Sequence, residues 1–98
     1  MLDLQPNELR EGREILQARV PRHRVLASGS RAEGRARPHS DLDLVVMERA
    51  AIPDLAWAEL AADFEDSNLP FRVDLLRWQE LTASMQQHIQ QHSILITD

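Results

Sequence analysis

The sequence predicts an α+β domain: a small mixed β-sheet of three to four strands with helices packed on it. The elements alternate as helix, strand, turn, strand, helix, strand, helix. One segment, "DLDLVVM" at residues 41–47, is apolar enough for a buried strand. At 98 residues, 43% hydrophobic and 28% charged, the chain suits one domain spanning 1–98 with an ordinary core.

Residues 5–19 read as the first helix. Pro6 fits its first turn, Glu8 favours its positive end, and Leu9, Ile15 and Leu16 form a narrow apolar stripe. After Pro21, residues 24–28 are a short strand that runs into Gly29, and one or two helical turns are expected at 30–35. Pro38, His39 and Ser40 form a loop into the 41–47 strand. Pro53 and Asp54 open a second helix through Asp66, with Trp57, Leu60, Ala61 and Phe64 on one face. Residues 71–76 are a third strand in which Phe71, Val73 and Leu75 alternate with Arg72, Asp74 and Leu76. A last helix is expected over 78–92, and the apolar tail Ile94–Ile96 reads as a final piece of core.

Charge and composition exclude several classes. The chain has no cysteine, so disulfides and thiolate zinc sites are absent. No apolar run approaches the roughly 20 residues of a membrane span. The polar, acidic start "MLDLQPNELREGREIL" is unlike a signal peptide, so a cytoplasmic location without membrane contact is expected. The net charge of -5 argues against direct DNA binding. Yet six of the eleven basic residues, all arginines, lie between 19 and 37, where Glu33 is the only acid. This basic run leads directly into a pair of aspartates.

Side chains two apart in a strand share a face, so Asp41 and Asp43 project together, opposite Leu42 and Leu44. They stand about 7 Å apart and, at an effective dielectric of about 20, repel by about 2 kcal/mol. Either the face is open to water or a cation lies between them. Asp74, again between apolar residues, brings a third carboxylate to the same place if its strand lies alongside in suitable register. An oxygen-only triad suits Mg²⁺ or Mn²⁺ and two-metal phosphoryl or nucleotidyl transfer. An EF-hand lacks its central glycine and closing glutamate, and a P-loop lacks Gly-Lys-Ser or Gly-Lys-Thr.

Gly29 and Ser30 lie where a strand turns, a place where free backbone N–H groups attract an anion. Ser30 taken alone reads first as an N-cap. Beside the aspartates, the turn is a candidate phosphate cradle with Arg31, Arg35 and Arg37 as forked auxiliaries, Arg31 foremost. His88 and His92 lack a third ligand nearby and read as a surface or interface pair.

These residues resemble the minimal nucleotidyltransferase (MNT) group of the DNA polymerase beta-like nucleotidyltransferase superfamily, of the kind paired with HEPN toxins. The family pattern is Gly-Ser, a spacer, Asp-x-Asp, and a later acid between apolar residues. Here Gly29-Ser30 is followed by ten residues, Asp41-Leu42-Asp43, and then Val73-Asp74-Leu75. Arg31, Ala32, Gly34, Ser40 and Leu44 also match, and the resemblance spans residues 24–76. It departs at Ser28, where an aromatic residue often stands, and at Glu33, an acid near the expected phosphate.

The resemblance implies a nucleotidyltransferase-like fold and transfer of NMP, as AMP from ATP, to a hydroxyl of a HEPN-type toxin, with the chain as antitoxin. By carry-over, Gly29, Ser30, Arg31 and Ser40 bind the nucleotide; Asp41, Asp43 and Asp74 hold two Mg²⁺ ions, with Mn²⁺ the alternative; and Asp74 helps activate the acceptor hydroxyl. Two other readings stay open: an antitoxin that neutralises by binding alone, and a transferase acting on a small hydroxylated molecule.

Overall fold

The computed structural model of the chain describes residues 2–48 and 50–97. Helix α1 spans Pro6–Arg19; Pro6 occupies its first position, where an N–H has no helical partner anyway. The Glu8 carboxylate accepts from the Gln5 N–H at 2.8 Å and closes that end. The strands are β1 (Arg24–Ser28), β2 (Leu42–Met47), β3 (Val73–Arg77) and β4 (Ile94–Leu95), and helix α2 (Asp54–Glu65) lies between β2 and β3. They form one mixed sheet in the order β3-β2-β1-β4, the α+β architecture expected. β1 is antiparallel to both β2 and β4, whereas β2 and β3, joined through α2, run parallel.

Alternation along the strands divides the sheet into two faces. Val25 and Ala27 of β1 and Leu42, Leu44 and Val46 of β2 point to one, where they pack with Leu16 of α1, Val20 at its end, and Leu60 and Phe64 of α2. Arg19 bonds to Asp63 (Nε to Oδ2, 2.6 Å) and to Glu59, joining α1 to α2 over this core. The other face carries Ser28, Asp43 and Asp74 in one cross-strand row and Leu26, Val45 and Leu76 in the next.

Two expectations need correction. The helix expected over 78–92 is interrupted: Trp78–Glu80 makes one 3-10 turn, Leu81 is extended, and α3 runs from Ala83 to His92. Thr82 explains the break. Its hydroxyl accepts from the Met85 N–H at 3.2 Å and starts a new helix there. Gln79 meanwhile donates to the Glu48 carbonyl (2.6 Å), anchoring the 3-10 turn beside β2, and Gln86 donates to the Trp78 carbonyl (2.8 Å), tying α3 back to that turn.

Residues 30–35 likewise form a hydrogen-bonded turn rather than a helix, closed by the Ala32 and Glu33 N–H groups on the Gly29 carbonyl (3.1 Å each). With no helix behind it, the turn has no macrodipole to offer an anion, only its backbone and hydroxyl groups. The tail does belong to the core: Ile96 is buried and its N–H donates to the Val25 carbonyl at 3.0 Å.

Candidate active site

The site lies where β1 leaves the sheet. Ser28 pairs with Asp43 in the antiparallel ladder, so the chain must turn away directly above that carboxylate. Gly29 makes the turn with φ +78°, a region that side chains disfavour. A Cβ there would also lie 2.5 Å from Asp43 Oδ2, so two independent restrictions select glycine. Ser30 follows, half-buried, and no hydrogen bond among the described residues engages its hydroxyl.

Asp43 and Asp74 are direct partners in the parallel β2–β3 ladder, with neighbouring strands about 4.8 Å apart. Asp41 precedes β2, exposed, two residues upstream on the same alternation. The register that the sequence left conditional therefore holds. Partial burial, followed by the charges of Asp74 and Asp41, pushes the Asp43 carboxyl above the usual carboxylate range. Asp74 accepts from Arg72 Nε at 2.9 Å, and Arg72 is itself mostly exposed.

The Arg31 guanidinium is turned into its own loop and onto the N-terminal segment. The residue is buried, 6% exposed, and its guanidinium donates to the carbonyls of Ser40 (2.8 Å), Asp3 (3.0 Å) and Pro38 (3.3 Å). The ring of Phe71 covers it, 4.0 Å from guanidinium carbon to ring centre. Ser40 likewise serves its own loop: its Oγ accepts from the Arg37 N–H at 2.8 Å, and its N–H donates to the Arg37 carbonyl at 3.0 Å. Both residues shape the 31–40 loop in this conformation.

Three contacts escaped the sequence reading. Arg72 sits two residues before Asp74, a spacing that places both on one strand face and was the available signal. Glu33 meets His88 of α3 (3.3 Å) and Arg35 (3.4 Å), and its carboxyl is held below the usual range, first by the His88 hydrogen bond. Phe71, read only as strand core, is the platform under Arg31.

The donor set suits a hard divalent cation. Among the described residues no three ligating side chains are already gathered, and Asp74 is turned onto Arg72. Nevertheless Asp43 is a partly buried carboxylate flanked by two like charges, with no hydrogen-bond donor among the described residues to compensate it. An oxygen-only donor set is the kind that hard divalent cations take. A groove of about 830 Å³ between α1 and Ile96–Thr97 includes none of the three aspartates. A smaller one, about 590 Å³, runs along the outer edge of β3 between Trp57, Phe64, Phe71 and Asp74.

Known proteins share the family pattern and the fold of this chain. The sequence pattern of the family described as "Polymerase beta, Nucleotidyltransferase" matches residues 11–98. The chain is 37% identical over 97 residues to the Haemophilus influenzae protein named "Probable protein adenylyltransferase MntA", covering 99% of this chain and 85% of that one. Its fold is similar to that of a toxin-antitoxin complex crystallised with AMP-PNP (TM-score 0.73, 22% identity, 95% of this chain and 73% of the other). It is also similar to that of a tri-AMPylated Shewanella oneidensis HEPN toxin in complex with MNT antitoxin (TM-score 0.70, 19% identity, 95% and 71%). With a glycine-serine turn against two strand aspartates in register and a family pattern covering most of its length, the chain belongs to the polymerase beta nucleotidyltransferase family.

Proposed function

We propose that this chain is a protein adenylyltransferase that transfers AMP from ATP to a hydroxyl of a HEPN-type toxin and so acts as its antitoxin. The observation that carries the reading is the pairing of Asp43 with Asp74 directly beneath the Gly29 turn. It is supported by the 37% identity to a relative named as an adenylyltransferase and by the fold shared with antitoxins crystallised with their toxins.

In this reading Gly29 and the free hydroxyl of Ser30 receive the triphosphate, the backbone approaching closely because glycine has no side chain. Asp41, Asp43 and Asp74 hold two Mg²⁺ ions. When bound, these ions neutralise phosphate charge and polarise the α-phosphate. The acceptor oxygen forms a bond to the α-phosphorus as the bond from that phosphorus to the bridging oxygen breaks. Pyrophosphate leaves with the electron pair. Asp74, at the sheet edge beside the open groove, takes the proton from the hydroxyl, and to do so it must first leave Arg72. Ser40 and Arg31 keep the intervening loop in shape.

Incubation with ATP labelled on the α-phosphate, Mg²⁺ and the HEPN toxin tests the proposal. Label should appear on the toxin, and the double variant Asp41→Asn, Asp43→Asn should neither label nor silence it. Full silencing by that inactive variant would show neutralisation by occlusion instead. Consumption of ATP with a small hydroxylated compound, and no labelled toxin, would favour the small-molecule reading.

A further inference from the structure

The three parts of the site belong to separate segments, yet one side chain touches all their approaches. Arg31 stands two residues after Gly29. It holds the carbonyl of Ser40, the residue immediately before Asp41, and that of Pro38 in the same loop. It lies on the ring of Phe71, three residues before Asp74. A fourth anchor comes from the N-terminal segment: Arg31 donates to the Asp3 carbonyl, and the Asp3 N–H returns a bond to the Arg31 carbonyl at 2.7 Å.

We propose that Arg31 is a positioning residue, a buried clamp that sets the spacing between the Gly29 turn, Asp41 and Asp74 and thereby the cation affinity of the site. The inference rests on the reading of Asp41, Asp43 and Asp74 as the cation-holding set. No carboxylate pairs with the Arg31 guanidinium among the described residues; backbone carbonyls and an aromatic face alone stabilise it. A planar fork with five N–H groups at fixed angles dictates where those carbonyls lie, which the point charge of a lysine cannot do. Because every contact goes to backbone or ring, the clamp acts on segment geometry and leaves the charge of the site unaltered.

The test compares the whole protein with R31K and F71L. Hydrogen exchange reads the clamp without any chemistry. In R31K, exchange should quicken by at least about tenfold within residues 38–42 and 71–74, while Val25–Ala27 keep their protection. Mn²⁺, titrated alone by its spin resonance, should bind about 10–100-fold more weakly, as expected when the supports of metal ligands are disturbed. KM for ATP, measured at saturating Mn²⁺, should change less than about threefold, because no phosphate contact is lost. F71L, which keeps all three carbonyl contacts, should show the same pattern more weakly, and it carries the test should R31K not fold.

A raised KM for ATP with unchanged exchange and Mn²⁺ binding would overturn the proposal in favour of a direct phosphate contact. Exchange that quickens uniformly over the sheet would reduce Arg31 to general stability and overturn it too. A wild-type protein that binds no Mn²⁺ would refute the reading of the carboxylates, and exchange alone would then decide the clamp.

Discussion

At Asp43 stability and function pull in opposite directions. The carboxylate is partly buried, has Asp74 beside it in the ladder, and has Asp41 two residues away. Its raised pKa fixes the sign of the consequence. Between the ordinary carboxylate value and the raised folded value, the native state binds more protons than the unfolded chain, so stability falls as pH rises through that window. Asp43→Asn removes the repulsion, and relief of about 0.5 kcal/mol, the scale for partly exposed charges, raises Tm by roughly 2–4 °C near neutral pH. Thermal denaturation of the metal-free protein from about pH 4 to pH 7 should show the wild type losing that margin and the variant not. AMP transfer by the same variant should fall below about 1% of wild type. A variant no more stable than wild type would mean that the three carboxylates do not strain the fold.

Gly29 states the complementary constraint. An alanine there meets a left-handed φ and places its Cβ on the Asp43 carboxylate. The backbone penalty is about 1–2 kcal/mol, and the clash adds to it or pushes Asp43 aside. Gly29→Ala should lower Tm by at least about 4 °C and weaken nucleotide binding, measured by calorimetry with a non-hydrolysable ATP analogue. Gly34 also has positive φ, but no atom lies within 4 Å of the Cβ it would carry, so alanine there should reduce stability without touching the nucleotide.

At the scale of elements, what the sequence disclosed depended on whether a signal was local. The alternation of Asp41 to Met47 and the Leu60–Phe64 stripe report their own burial, and β1, β2 and α2 lie within a residue of where they are expected. Asp74 was legible as a strand carboxylate, while its register against Asp43 depended on a parallel crossover that no local pattern encodes. Arg31 misled for a similar reason: an arginine two residues from a phosphate turn carries no mark showing that its fork closes on Asp3, 28 residues away. Thr82 did carry a mark, since a threonine inside an apolar period is a helix start as well as a helix member. Thr82→Ala should therefore cost about 1 kcal/mol, a fall in Tm of roughly 4–8 °C by calorimetry. If the loss is negligible, the cap does not define that helix.

Across the whole molecule, the sheet places its helix-covered core on one face and the carboxylate row on the other, beside Leu26, Val45 and Leu76. The core of Val25, Ala27, Leu42, Leu44 and Val46 under α1 and α2 makes β2 rigid, and that rigidity lets Asp43 be held beside like charges. In the proposed reading a cation relieves the repulsion at this site, so ligand binding and folding are linked. A metal–nucleotide complex binding as one ligand at about 100 times its dissociation constant adds about 2.7 kcal/mol to stability, enough to raise Tm by roughly 10–20 °C for a chain of this size. Mg²⁺ with a non-hydrolysable ATP analogue should therefore stabilise the protein far more than either alone, because the triphosphate completes the coordination that one or two carboxylates begin. In the Asp41→Asn, Asp43→Asn variant the increment should vanish while the metal-free Tm rises, a crossing of two trends that general ion effects on the fold would not produce. An equal gain from Mg²⁺ and analogue in wild type and variant would place the ligand elsewhere on the molecule and remove the carboxylate row from the mechanism.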